Sequence, residues 1–170
     1  MKTQAGIYNM IPNLIWTVLH LTPVVIYCYA LFPMVFVFLG ISVAGAFLPL
    51  RLFQLGNDTR IYKKIGIVYI RRYAQDGDVI NKLIRKRFPD YKVILRPQHY
   101  ISRSYMNERF HLLLLVFFLL LTGHALWNGA PGWALLFVFS NVMYNLYPMF
   151  LQQYNRIRIK ASAGRIYRGN

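Results

Sequence analysis

The sequence predicts an all-α membrane protein: four transmembrane helices arranged as two hairpins, joined by a basic cytoplasmic segment that carries short interfacial helices. Three observations lead there. The 170-residue chain is 56% hydrophobic and 16% aromatic, yet its formal net charge is +15. A soluble domain of that length could not hide so much apolar surface, whereas a bilayer accepts it. The charge is also segregated: fourteen of the 20 Lys and Arg and all five acidic residues lie within residues 51–109, and five more bases follow Gln153. Lastly, the apolar runs come in pairs on either side of that segment.

The first pair occupies residues 11–32 and 33–50, with His20 as its only acidic or basic side chain. A span needs about 20 residues, so the stretch is expected to make two spans turning near Leu31-Phe32-Pro33. A cleaved secretory signal is disfavoured, because Lys2 is a thin basic start and a second apolar run follows directly. Pro12, Pro23, Pro33 and Pro49 are expected to kink or bound these helices. His20 should bond a backbone carbonyl or a neighbouring helix, and Trp16 should anchor an interface. Cys28 is the only cysteine, which rules out a disulfide framework or a cysteine metal site; it is expected to be an inert core thiol.

Residues 51–109 are too polar to span. Within 60–73, Ile61, Ile65, Val68 and Tyr69 share a helical face while Lys63, Lys64, Arg71 and Arg72 point elsewhere. That pattern suits an interfacial helix whose bases meet anionic head groups, although residues 67–70 read equally well as a short strand. The bases either hold a donor or substrate phosphate or simply contact head groups. Gln75-Asp76-Gly77 signals a turn, and Asp78 is a candidate N-cap for a basic amphipathic helix over 79–88, ended by Pro89. Strong basicity would also suit nucleic acid. Here the bases flank apolar spans and no nucleic-acid motif accompanies them, so the bilayer is the expected partner.

The second pair of runs, 110–127 and 133–152, flanks the uncharged turn Asn128-Gly129-Ala130-Pro131-Gly132. Trp127 and Trp133 fit an aromatic belt there, and His124 is expected to meet water or head groups. The basic tail covers 153–170. The positive-inside rule then places the central segment and both termini in the cytoplasm, in a multi-pass protein built as a single membrane domain over 1–170.

The candidate chemistry lies at the start of the third span. Glu108, the only glutamate, and His111 sit three residues apart on one helical face. Ionisable groups at the mouth of a span cost free energy and usually have a partner or a purpose. The fourth span carries its own polar stripe: Asn141, Asn145, Gln152 and Asn155, with Tyr144 and Pro148 alongside. Folding the hairpin about Ala130 sets Glu108 level with Gln152 and His111 level with about Met149, to within a turn of ~5 Å. Glu108, His111, Asn145, Gln152 and 154–156 are thereby expected to converge at the cytoplasmic mouth. An imidazole there could serve as a general base oriented by a carboxylate. Amide and phenol donors could stabilise an oxyanion, and Arg156 with Arg158 suit an anionic donor. The rival use of Glu-x-x-His is a di-iron or zinc site, but such sites need further carboxylates on neighbouring helices, so no metal is expected. A purely structural tie across the hairpin stays open.

Glu108-x-x-His111, Asn145-Leu-Tyr-Pro148 and Gln152-Gln-Tyr154-Asn155-Arg156-Ile-Arg158 together resemble the glycosyl-4,4′-diaponeurosporenoate acyltransferase family. These are bacterial membrane proteins acting late in staphyloxanthin-type carotenoid synthesis. Tyr62-Lys-Lys-Ile-Gly66, Arg72 and Asp76-Gly77 resemble the family's linker, and the likeness runs from about Arg51 to Lys160. It implies transfer of a fatty acyl group to a sugar hydroxyl of a lipid-linked glycoside, with His111, Glu108, Asn145, Gln152, Tyr154, Asn155 and Arg156 at the site. The implied partners are a lipid or glycolipid acceptor and an acyl donor such as acyl-CoA as co-substrate, with no resident cofactor. The chain departs from the expected Gln-Arg-Tyr-Asn-Arg at Gln153, which touches the contact to a donor phosphate.

In this scheme His111 deprotonates the acceptor, Glu108 holds His111, and Asn145 or Tyr154 stabilises the oxyanion. No His-x-x-x-x-Asp pair, Gly-rich phosphate loop or Ser nucleophile elbow is present. Two alternatives belong to other classes. One is a non-catalytic subunit or lipid-binding adaptor with a membrane-protein partner; the other is a small membrane methyltransferase. An enzyme should show a cavity at the level of Glu108, His111 and Tyr154, whereas an adaptor should show those groups mutually satisfied.

Overall fold

The computed structural model describes residues 2–74, 77–89 and 97–168, and every regular element among them is helical. The elements are α1 (Lys2–Ala30), α2 (Met34–Gly45), α3 (Thr59–Lys64), α4 (Ile67–Tyr73), α5 (Asp78–Arg87), α6 (Pro97–Trp127), α7 (Pro131–Asn141) and α8 (Tyr147–Arg168). A short 3₁₀ turn at Leu50–Phe53 follows α2, and a π-helical turn at Val142–Leu146 joins α7 to α8 in one continuous rod.

Three helical stretches, Gly6–Ala30, Gln98–Trp127 and Pro131–Ser162, are long and apolar enough to cross a membrane, which marks the chain as a membrane protein. Four were expected. The second apolar run yields only the 12-residue α2, about 18 Å long against a hydrocarbon core of about 30 Å. Hydropathy counted apolar residues without regard to whether one helix runs through them. The Phe32-Pro33 turn at one end, and Gly45 with Pro49 at the other, cut the run too short. The hairpin itself stands, since α1 ends at Ala30 and the chain turns back at residues 31–33.

The last turn of α2 is fixed from α6. Arg109 donates from Nη1 to the Ala46 carbonyl at 2.7 Å, supplying a cation and a donor where a helix C-terminus has orphan carbonyls. Close by, a Cβ on Gly45 would come within 3.0 Å of Val116, so α2 and α6 pack tightly. The main apolar cluster joins Val24 and Leu31 to Phe117, Phe118, Leu121 and Ala125 of α6 and Ala134 and Phe137 of α7. Outside it, Leu14, Leu19, Val25, Phe36 and Val37 point outwards, a skin stable only in apolar surroundings.

At the basic end of the bundle the expected single interfacial helix over 60–73 is two. Gly66 adopts φ +82° and breaks it into α3 and α4, and no strand forms over 67–70. Asp58 caps α3 by accepting from the Arg60 N–H at 3.1 Å. The N-cap of α5 is Gly77 rather than Asp78. A Cβ on Gly77 would lie 2.3 Å from the Arg71 carbonyl, and Asp78, inside the helix, pairs instead with Arg71 at 2.8 Å. The rest of the expected turn, Gln75 and Asp76, lies outside the described residues. Tyr62 and Ile67 pack under α8 against Leu151 and Tyr154, which fastens the two short helices to the rod.

At the opposite end, Trp127 is exposed as a belt residue would be, while Trp133 packs on Tyr27 and Phe137. His124 does not simply face outwards. Tyr27 Oη lies 3.0 Å from its Nδ1, tying α1 to α6.

Candidate functional site: a buried acid and an intramembrane imidazole

Two polar regions lie along α6, roughly one helical turn apart. The first is built on Glu108, which is fully buried. Gln153 donates to its Oε1 at 2.6 Å and Arg156 donates to its Oε2 at 2.7 Å. Arg156 also reaches Ser104 Oγ at 3.3 Å from the same Nη1, and the Tyr105 ring lies against its guanidinium at 3.9 Å. Gln153 further donates to the Phe53 carbonyl at 3.1 Å and accepts from Tyr62 Oη at 3.0 Å; that hydroxyl also reaches the Gly56 carbonyl. Burial pushes the Tyr62 phenol above its ordinary pKa, and the nearby Glu108 carboxylate adds to the effect. One carboxylate thus joins α6, α8, α3 and the segment after α2. Ser104 and Tyr105 precede Glu108 by about one turn on the same helix, so they share its face.

The second region surrounds His111 and arises from Pro148. A proline in a helix has no N–H to give the carbonyl four residues back, here that of Tyr144. The chain relaxes into the π turn at Val142–Leu146, a local widening often found at functional sites. Asn145, fully buried on this turn, donates to Asn141 Oδ1 at 2.8 Å, and Asn141 donates to the Leu115 carbonyl of α6 at 3.1 Å. The His111 ring lies beside the Asn145 amide and the Tyr144 backbone, but its Nδ1 makes no hydrogen bond of proper geometry. Asn145 Oδ1 is likewise without a partner.

Tyr144 links this region to α1. Its ring meets His111 edge-on at 5.9 Å on one side and stacks on His20 at 5.6 Å on the other, while its hydroxyl lies 2.9 Å from Thr17 Oγ1. His20, whose imidazole was expected to bond a carbonyl or a neighbouring helix, also stacks on Trp16, and its Nε2 has no hydrogen-bond partner among the described residues. Of the four buried side-chain polar atoms without a partner among the described residues, three therefore lie around the π turn. A buried polar atom left so costs about 1–3 kcal/mol.

The expected residues are therefore divided rather than gathered. Glu108 and Arg156 meet; His111 and Asn145 meet; and the carboxylate expected to hold His111 is taken at both oxygens by Gln153 and Arg156. Gln152 and Asn155 make no side-chain hydrogen bond among the described residues, and it is Gln153, one residue round the helix, that grips Glu108. Tyr154 is buried against Tyr62, with the Arg158 guanidinium 5.5 Å from its ring. Lys63, Lys64 and Arg72 are exposed, as head-group contacts would be, whereas Arg71 is held by Asp78. No group of three or more metal-ligating side chains occurs among the described residues.

A cleft of about 440 Å³ opens at the basic end. Gln153 and Arg156 floor it, and Gln54, Asn57, Tyr105 and Lys160 wall it. Its lining includes none of Glu108, His111 and Tyr154, so it is not the cavity expected at their level. Sequence reasoning missed Gln153, Tyr62 and Lys160 as members of the site. Only Ser104 and Tyr105 carried a signal, their helical spacing from Glu108.

Neither curated proteins nor solved structures provide a match. A family model described as glycosyl-4,4′-diaponeurosporenoate acyltransferase matches residues 45–165, which takes in α3 to α7, most of α8, Glu108, His111 and the cleft. The chain belongs to the glycosyl-4,4′-diaponeurosporenoate acyltransferase family.

Proposed function

We propose that the chain is a membrane acyltransferase that moves a fatty acyl group to a sugar hydroxyl of a lipid-linked, carotenoid glycoside-like acceptor, with His111 as the general base. Family membership supports acyl transfer. The observation that singles out His111 is its unpartnered Nδ1 beside Asn145 on the π turn. An imidazole nitrogen without a well-formed hydrogen bond is the group that could take a proton from an acceptor hydroxyl.

His111 takes the acceptor hydroxyl proton as that oxygen attacks the acyl carbonyl carbon. The carbonyl oxygen becomes an oxyanion, for which the second N–H of the Asn145 amide is the available donor. The donor's leaving atom then departs with the proton held on the imidazolium, giving an ester and a protonated leaving group. In this scheme Glu108 acts at a distance, by fixing Arg156 and Gln153. The positive-inside distribution supports a cytoplasmic basic end, in a single membrane domain of a bacterial inner membrane.

The mutually satisfied bonds of Glu108 with Gln153 and Arg156 favour a second role for those three groups alone, as the tie expected of a non-catalytic adaptor. Comparative lipidomics of cells with and without the chain separates the two. Transfer predicts one acylated glycolipid missing from the deletion and restored by the wild-type chain but not by His111→Ala. Restoration by His111→Ala, or an unchanged lipid profile, contradicts it.

A further inference from the structure

We propose that the cleft at the basic end is a binding site for a phosphate-bearing ligand, held by Arg156 and Lys160. The argument starts from how little of Arg156 is used. A guanidinium has five N–H donors in a fixed fork. Arg156 makes its bonds to Glu108 and Ser104 through Nη1 alone, and Nη2 and Nε have no hydrogen bond among the described residues. The side chain is only 7% exposed, yet it forms the cleft's floor. Its orientation is set twice, by the Glu108 carboxylate at one end and by the Tyr105 ring against its face. A buried arginine fixed in this way presents the other edge of its fork to whatever enters, the geometry that matches two oxygens of a phosphate.

The remaining walls fit the same chemistry. Lys160 is the second cation of the cleft, and its Nζ lies 6.0 Å from the centre of the Tyr105 ring. Gln54 donates to Asn57 Oδ1, which leaves the Asn57 amide N–H groups for the cleft. Glu108 lies beneath Arg156 and offsets its charge, so Lys160 leaves an excess of positive charge at the opening. A lone carboxylate would fill little of about 440 Å³, whereas pockets of roughly 300–1,000 Å³ take whole small-molecule head groups. Arg158, expected to share the donor's charge, lies on Tyr154 and is replaced in this role by Lys160.

Phosphate of this kind has two sources, a soluble thioester carrier such as coenzyme A and the head group of an anionic phospholipid. The acyl-transfer reading enters only in the choice of coenzyme A as a probe. Binding is measured without turnover, so a chain that binds but does not transfer refutes that reading and leaves the site standing.

The test uses the full chain in phosphatidylcholine nanodiscs, titrated with coenzyme A and with pantetheine, its phosphate-free portion. A second set of discs contains phosphatidylglycerol, and retained lipid is read by native mass spectrometry. Lys160→Gln and Asn57→Asp are the variants, because both side chains are exposed and neither belongs to the Glu108 network. Losing one charged hydrogen bond should weaken binding about tenfold or more. Coenzyme A binding well above pantetheine, and weakened by both variants, supports the site with a soluble source. Retention of phosphatidylglycerol that both variants lose supports it with a lipid source. Equal binding of pantetheine and coenzyme A, phosphate binding insensitive to both variants, or no phosphate-bearing probe bound at all would overturn it.

Discussion

Glu108 and His111 stand one helical turn apart on α6 and are treated in opposite ways. Every oxygen of the Glu108 carboxylate has a charged or amide donor, and the groups that grip it are themselves gripped by Tyr62, Ser104 and the Phe53 carbonyl. His111 has a ring packed against Tyr144 and a nitrogen without a well-formed hydrogen bond. A fully satisfied buried network rigidifies; a partly satisfied one is costly and is kept where it serves a purpose. On the proposed scheme the acid is framework and the imidazole carries the chemistry, although the two belong to a single Glu-x-x-His motif.

The largest effects should come from removing either group, and they should differ in kind. His111→Ala should lower acyl transfer by about 10²–10⁴-fold, the usual contribution of a general base, with little change in melting. Glu108→Ala should instead destabilise the protein by about 3–5 kcal/mol, because Arg156 is left buried without its counter-ion. Thermal unfolding in detergent alongside transfer in reconstituted membranes distinguishes the two; a Glu108→Ala protein that melts normally would break the division.

A middle-sized effect is expected at Gln153. Gln153→Leu removes the amide that links Glu108, the Phe53 carbonyl and Tyr62, and should cost about 1–3 kcal/mol. Gln153→Glu places a second carboxylate beside Glu108 and should cost more, an order that melting temperatures report directly.

The smallest effect sharpens the same contrast through pH. Burial raises the Tyr62 phenol, so the unfolded chain loses this proton before the folded one does. The contribution to stability is therefore complete below the ordinary tyrosine value of about 10 and declines as pH rises from there towards the raised folded value. Tyr62→Phe should cost about 1 kcal/mol at neutral pH and remove that part of the alkaline decline. A difference between wild type and variant that stays constant from pH 8 to about 11 would contradict it.

Much of this was legible in the residues, and the failures have physical causes. Charge segregation and paired apolar runs give the helices, and the turn at Ala130 gives the meeting of Glu108 with the Gln152–Arg156 stretch. One residue is about 100° round a helix, so a register good only to a turn could not choose Gln153 over Gln152. His111 meets Tyr144 and Asn145 rather than Met149, because the π turn rotates the two halves of the rod against each other and no single register fits both. Pro148 was the visible warning. Nothing in the sequence brings Tyr62 to Gln153, since that contact depends on how two short helices fold back after Gly66. The second span failed because apolar content is not helix length.

The most direct measurement is acyl transfer by His111→Ala beside Glu108→Gln, each reconstituted in membranes and normalised to folded protein. The account predicts transfer lost in the first and retained, per folded molecule, within about tenfold in the second. Full transfer by His111→Ala, or equal loss in both, would contradict it.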